Sequence, residues 1–534
     1  MIRTPLSFLF FLLLIAAVWN TSSQLVDPEV SAKWYALWPM AASCALFLCI
    51  REYKMREKII QLFPTMQELS FIVLIIATAQ AIYAILQRFG LLHSPYAHTV
   101  GSFDNPAGLA SVLAFSMPFC LSLWQSNKKA IRGIGFLLGS ILFAGLIVSD
   151  SRTGILAAVG AVFIMLLLIA KKHRRMLLAI VCPLLIVLSV GLYYYKKDSA
   201  DGRKLIWQCT LEMIREHPLM GYGPSGFKAH YMDFQARHFE KYPADPTALL
   251  ADNIKWPFSE YLQVLVSYGL LGAIGLTLLI VYCVKWWKRS RNLASDTTFL
   301  CLVSIALFSV ASYPFFYAHT WVFFLLSLAI LFFVSHPYKI KENAFRKSLW
   351  IFTVSLCVAS FFSLRRMQAD REWECISDQA IQGKGVEVFP RYEKLRKTLW
   401  NKPTFLYNYA AELNIAEEYK KSISIALECE QQYADYDLQL VLADSYRLSG
   451  QHRKAEMCYQ KAAMMCPNCI APYHELYFMY KEMSDSQKAI CVARNLFKKA
   501  LKVPSPEVLQ MRCSVAKDTV QLLSKLIHKS FYKY

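Results

Sequence analysis

Apolar residues in this chain come in long unbroken runs, not at the spacing of a single helix face. Runs near 6–19, 33–50, 69–88, 107–124, 131–149, 154–170, 176–195, 258–286, 297–316, 318–335 and 348–364 predict eleven helices. About 20 apolar residues span the ~30 Å of bilayer hydrocarbon as a helix, so most of these runs are long enough to cross. The first, LSFLFFLLLIAAVWN, follows Arg3 and superficially looks like a secretory signal. No small-x-small cleavage site follows it and further spans come after, so it reads as the first membrane helix. Two regions break the pattern, a polar loop over 196–257 and a tail after residue 364. The expected fold class is therefore all-α: a polytopic membrane bundle of about eleven transmembrane helices, followed by a soluble helical domain. The expected domains are 1–364, carrying the outer loop 196–257, and 365–534.

The loops between runs predict orientation. Basic stretches at 51–58, 127–132, 171–175, 285–291 and 339–347 fall on alternate sides, while 20–32 and 313–319 are poor in Lys and Arg. Because cytoplasmic loops collect Lys and Arg, this places the N-terminus inside and both the 196–257 loop and the tail outside. Arg365 and Arg366 run against that assignment, two residues against five clusters.

The tail carries a repeat. In LADSYRLSGQHRKAEMCYQKAAMMCP, the residues Leu442, Ala443, Tyr446, Gly450, Ala455, Tyr459, Ala462 and Pro467 hold tetratricopeptide-repeat spacing. Small residues let two antiparallel helices approach, Gly450 suits the turn, and Pro467 ends the second helix. The next unit keeps Leu476, Tyr480 and Ala489, and the preceding one, from KPTFLYNYAAEL, is degenerate. Such an array binds a protein partner in its concave face or serves as a helical spacer.

Composition narrows the function classes. Of 534 residues, 56% are hydrophobic, and a mean hydropathy of +0.32 excludes a soluble protein. The net charge of +20 belongs to the membrane-flanking clusters, and no basic domain interleaved with aromatics points to nucleic acid. Fifteen cysteines show no regular disulfide spacing, and Cys466 and Cys469, in CPNC, form the one close pair. A single C-x-x-C without a second pair is weak evidence for zinc, and no metal or other cofactor is expected. Two incidental cysteines at a helix end, or a local disulfide, are the readings left for it.

The chemistry-bearing residues lie at the ends of the runs. DSRTGILA sets Arg152 between two apolar segments, where a charge costs ~2.5–3.5 kcal/mol or more at the bilayer centre and so faces protein, water or ligand. Its plain alternative is an interfacial Arg that snorkels. In the outer loop, Arg203 and Trp207 lie one helix turn apart, ahead of a Gly- and Pro-rich turn, HPLMGYGPSGF. FSEYLQVLVSYGLLG carries Ser259, Glu260 and Gln263 into the membrane, and VGSFDNPAGLASVL sets Asp104 and Asn105 before a Pro-initiated span.

Four of these stretches, GSFDNPAGLA, SDSRTGILA, GRKLIWQCTLEMIREHPLMGYGPSGF and FSEYLQVLVSYGLLG, give residues 65–335 a resemblance to the O-antigen ligase-related superfamily. Arg152 to Leu156 match its Arg-x-x-x-Leu motif. Ser259, Gly269 and Gly272 match its second motif, with Phe258 where that motif has His. The resemblance implies a bacterial inner-membrane glycosyltransferase that moves a preassembled glycan from a polyprenyl-diphosphate carrier to an acceptor hydroxyl on lipid A–core, another glycan or a protein. It assigns Arg152 and Arg203 to the diphosphate, whose developing charge guanidinium forks stabilise without a metal. Asp104, Asn105, Trp207 and Ser259 are expected to bind substrate. With Phe258 unable to accept a proton, Glu260 is the expected base, and His230 and His238 are the others considered. A polysaccharide polymerase, a protein O-oligosaccharyltransferase and a non-enzymatic transporter or scaffold are the alternatives.

Overall fold

The computed structural model describes residues 5–55, 64–169, 171–336, 342–502 and 504–531. Arg3, the end of the basic stretch 51–58 and the start of 339–347 lie outside them, as does residue 170 at the end of the sixth predicted helix. No strand occurs among the described residues. The chain runs through α1 (Pro5–Trp19), α2 (Ser31–Met55), α3 (Met66–Arg88), α4 (Pro106–Ser116), α5 (Cys120–Trp124), α6 (Lys129–Val148), α7 (Arg152–Ile169) and α8 (Arg174–Tyr195). The outer loop folds as α9 (Lys197–Glu216) and α10 (Gly226–Lys241). Then come α11 (Glu260–Arg289), α12 (Leu293–Phe308), α13 (Ala318–Ser335) and α14 (Glu342–Gln379). Among the described residues, nine helical stretches are long and apolar enough to cross a membrane, and Pro5–Trp19 and Leu293–Phe308 are shorter apolar helices. The protein is an all-α, multi-pass membrane protein.

Three boundaries differ from the sequence expectation, each for a local reason. The run 107–124 is broken at Met117–Phe119, where Pro118 lacks the N–H that a continuous α-helix needs. The run 297–316 stops being an α-helix at Phe308, and Pro314 opens a separate short turn over Pro314–Phe316. The last apolar run continues past residue 364 to Gln379, because charge alone does not end a helix and no Gly or Pro arrives before Gly383.

The helices form two compact units. The first comprises Met1–Tyr195, Phe258–Tyr261 and Ile274–Cys375; the second comprises Lys196–Pro257, Leu262–Ala273 and Ile376–Tyr534. In the first, Leu14, Val73, Leu113, Phe115, Leu146 and Phe308 share one apolar core. Lipid is as apolar as Leu, so close packing drives association here and small residues mark the contacts. A Cβ on Gly145 would lie 2.7 Å from the Ala81 side chain, and one on Gly154 2.7 Å from that of Ala110. No residue of α8 is buried, which fits a lipid-facing helix. A polar link ties α14 to α2, where the Tyr35 hydroxyl donates to buried Asp370 at 2.7 Å.

The second unit contains α9, α10 and, in the tail, α15 (Gly385–Leu399), α16 (Pro403–Ile415), α17 (Tyr419–Glu430), α18 (Tyr436–Leu448), α19 (His452–Met465), α20 (Ala471–Glu482), α21 (Ser486–Lys498) and α22 (Pro506–Phe531). Helices α16 to α21 pair in succession, and the pairs start at Pro403, Tyr436 and Ala471. Ala443, Ala455, Tyr459 and Ala462 are buried between α18 and α19, and Gly450 makes their turn at φ 79°. Tail and outer loop pack directly. Ala434 N–H donates to the Lys228 carbonyl at 3.0 Å, Gln235 Nε2 to the Met465 carbonyl at 2.6 Å, and Lys255 pairs with Asp435.

Candidate functional site

In the first unit the chemistry-bearing residues gather around one turn, residues 309–317, between α12 and α13. Glu260 opens α11 and is fixed there twice. Its backbone N–H donates to the Ser309 carbonyl at 3.0 Å, and its carboxylate Oε1 accepts the Phe315 N–H at 3.0 Å. The Thr153 hydroxyl, next to Arg152, donates to the Ala311 carbonyl at 3.4 Å. Trp34 Nε1 donates to the Phe316 carbonyl at 3.0 Å. A carboxylate at a helix N-terminus is favoured by the macrodipole.

Arg152 is the first residue of α7, and Ser151 Oγ accepts the Gly154 N–H at 3.3 Å as a cap. Asp150 makes the sharp turn before it with φ 55°, a region that Asp tolerates better than most residues. The half-buried guanidinium directs Nη1 at the Leu192 carbonyl near the end of α8, 3.1 Å away. A guanidinium carries its N–H donors in a rigid fork, so this bond aims the group.

Ser259 is buried and takes the N-cap position of α11 without a side-chain cap bond. Phe258, at the motif's His position, has φ 51°, a strained value for a bulky aromatic, and its ring packs edge-on against Tyr313 at 5.3 Å. Asn105 caps α4, its side-chain oxygen accepting the Ala107 N–H at 2.9 Å. Asp104 is half-buried in the loop before α4. Burial, reinforced by the nearby Asp27 carboxylate, pushes its pKa up to about 6.

Sequence reasoning missed the supports of this face. Lys33 is 1% exposed, with Nζ donating to the carbonyls of Glu29 at 2.5 Å and Ser102 at 2.7 Å, 4.8 Å from the Phe103 ring centre. His319 is fully buried and bonded through Nε2 to Ser111 Oγ at 2.8 Å, with its ring 5.2 Å from Phe103. Both are polar residues within or beside apolar runs, and that was the available signal.

The second unit carries the outer-loop candidates. Arg203 and Trp207 are half-buried on α9, and Trp207 Nε1 donates to the Pro257 carbonyl at 2.9 Å. His238 is buried and bonded to Asp245 at 2.9 Å, whereas His230 is half-buried against Tyr222, with burial lowering its pKa. The Gly-rich turn locks onto the kink of α11. Tyr222 N–H and Gly223 N–H donate to the carbonyls of Val266 at 2.8 Å and Ser267 at 3.0 Å. Leu270 N–H and Leu271 N–H donate to Pro218 at 2.8 Å and Leu219 at 3.3 Å. Gly221 and Gly269, both at positive φ, face each other's backbones across this seam.

Residues 137–277 match the family model for O-antigen ligase. The matched stretch contains Arg152, Arg203, Trp207, Ser259, Glu260 and the Gly221–Gly269 seam; Asp104 and Asn105 precede it. No curated protein matches the chain. A multi-pass helical membrane protein with this stretch at its centre defines the class, a membrane protein of glycan transfer or polymerisation. Residues 137–277 thus support a place for this protein among O-antigen ligase relatives.

Proposed function

We propose that the chain transfers a preassembled glycan from a polyprenyl-diphosphate carrier to an acceptor hydroxyl, as a ligase acting on lipid A–core or a related surface acceptor. The observation that carries this reading is the arrangement around 309–317. The Arg152 helix start and the Glu260 carboxylate are anchored to the same turn, within the matched family. The acceptor oxygen attacks the anomeric carbon and the bond to the diphosphate breaks. Arg152 stabilises the charge that develops on the leaving group, which is where preorganised donors lower a barrier most. Glu260 takes the acceptor proton, in place of the His that Phe258 replaces, while its Phe315 contact holds the carboxylate in position. Arg203 is a second diphosphate ligand, and Trp207, Ser259, Asp104 and Asn105 contribute to substrate binding, the last through the α4 cap it forms.

The membrane is the bacterial inner membrane, with outer loop and tail outside it. One observation supports a common side for loop and tail: they pack as one compact unit. The basic loops assign that side to the exterior. The tail is a tetratricopeptide array that docks a protein partner. Its helix pairs recur at close to the ~34-residue period of that repeat.

The test is a chromosomal Arg152→Ala variant, with the envelope run on a carbohydrate-stained gel. Loss of the long lipopolysaccharide ladder, with lipid-linked polymer accumulating, supports the ligase. A core bearing a single repeat supports a polymerase instead. Loss of glycoproteins with an intact ladder supports a protein O-oligosaccharyltransferase. An unchanged envelope refutes the enzyme reading.

A further inference from the structure

The CPNC turn lies outside the chemistry proposed above, yet the structure gives it both a reactive geometry and something to act on. Cys466 follows the end of α19 and is 1% exposed, while Cys469 is half-buried just before α20. The turn is closed by Cys469 N–H donating to the Cys466 carbonyl at 3.0 Å. Lys499 Nζ donates to the Pro467 carbonyl at 2.6 Å, fixing the turn from α21's end. Between the cysteines, Asn468 clasps the outer loop, its Nδ2 donating to the carbonyls of Leu249 at 3.1 Å and Ala251 at 2.7 Å. Cys469 Sγ–H in turn donates to Asn468 Oδ1 at 3.3 Å, which orients that amide.

We propose that Cys466 and Cys469 are a dithiol–disulfide couple, exchanging with disulfide-bearing proteins or small disulfides, and that their oxidation loosens the Asn468 clasp on the outer loop. Hydrogen bonds from Cys466, and then from Tyr436, hold the Cys469 thiol below its ordinary range despite burial, and the thiolate is the attacking species. Cys469 Sγ attacks one sulfur of the external disulfide and displaces the other as a thiolate. Cys466 Sγ then attacks Cys469 Sγ, releasing the second external thiolate and closing the ring. The two protons of the dithiol pass to the two leaving thiolates, so the external disulfide is reduced as the pair is oxidised. Only the protonated dithiol gives Asn468 the Cys469 S–H; the attacking thiolate and the disulfide that replaces it both lack that proton, so in the oxidised protein the amide permanently loses the bond that aims it at residues 249 and 251.

The experiment uses the full-length protein in detergent, equilibrated in dithiothreitol buffers from fully reduced to fully oxidised, then alkylated and digested. The expected result is one two-electron transition, in which the peptide holding both cysteines passes from doubly alkylated to unalkylated and two hydrogens lighter. Buried Cys209 and Cys429 stay alkylatable after denaturation throughout. Amide exchange across 249–252 should be faster in the oxidised protein, and Cys469→Ser and Cys469→Ala should both erase that redox dependence. The proposal is overturned by a pair that stays reduced at every potential, by a persistent mixed disulfide on Cys469, or by exchange across 249–252 that is identical in both states.

Discussion

The seam between the Gly-rich turn and the α11 kink offers a graded stability test. A Cβ placed on Gly221 would lie 2.4 Å from the Val266 carbonyl oxygen, and one on Gly269 2.4 Å from the Leu219 carbonyl carbon and oxygen. Neither obstacle is a flexible side-chain end; both are backbone, so the strands of the seam must part. An L-residue in the left-handed region costs ~1–2 kcal/mol. Parting the seam weakens four backbone hydrogen bonds worth ~0.5–1.5 kcal/mol each, of which at least two should be lost. Gly221→Ala and Gly269→Ala should therefore each cost about 2–5 kcal/mol, a large share of the ~5–15 kcal/mol that holds a domain folded. Gly223 also has positive φ, 88°, but nothing lies within 4 Å of its Cβ position, so Gly223→Ala should cost only ~1–2 kcal/mol. Gly275 is helical with open space around it, and Gly275→Ala should be neutral or stabilising by up to ~1 kcal/mol. The assay is a heat ramp on the reduced full-length protein with a thiol-reactive dye, read out by the buried Cys209, Cys429 and Cys466. At ~2–4 °C per kcal/mol for a unit of this size, the two severe variants should melt roughly 4–20 °C early. Equal melting of Gly269→Ala and Gly275→Ala would refute the seam.

Other residues give sharper functional readouts. Glu260→Gln keeps an oxygen for the Phe315 N–H but cannot take a proton, so transfer should fall ~10²–10⁴-fold with melting unchanged. Full activity in that variant would reduce Glu260 to a loop anchor. Phe258→His should fold at least as well as the parent, since His accepts positive φ more readily, and should raise transfer by restoring a base; a loss of transfer would refute that reading of the position. Lys228 in the second unit is held down to about 8 by burial, then by Lys255. A lysine with a lowered folded-state pKa has bound fewer protons than the unfolded chain between about 8 and 10.5, so its contribution to stability should rise with pH across that window and level off below about 8, where both states are protonated. Lys228→Met should flatten that slope in melting curves taken from pH 7 to 10.5, and a slope unchanged by the substitution would sink the assignment.

What could be read from the sequence, and what could not, follows from which atoms make the contacts. The spans were legible because hydrocarbon forces every backbone polar group into a helix, and only long apolar runs satisfy that demand. The overshoots at Pro118 and beyond Phe308 arose where hydropathy stayed high while the backbone lost a donor or turned. Arg152, Ser259 and Gly269 were legible because their side chains, or the lack of one, set the motif. The turn at 309–317, beside Arg152 and Glu260, was not. It works through main-chain atoms, the Ser309, Ala311 and Phe316 carbonyls and the Phe315 N–H, and any sequence there would show the same groups. Asn105 was visible as a polar residue before a Pro, but one pattern serves both a ligand contact and a cap, and the Ala107 bond makes the cap. The union of outer loop and tail was hidden for the same reason as the turn. Its joints are Ala434 to the Lys228 carbonyl, Gln235 to the Met465 carbonyl and Asn468 to the carbonyls of 249 and 251. Each donor is an ordinary residue whose importance lies in where its acceptor sits, more than 200 positions away. A substitution at Asn468 or Gln235 therefore belongs among the first to test for loss of the loop's fixed position, although neither residue announces itself in the chain.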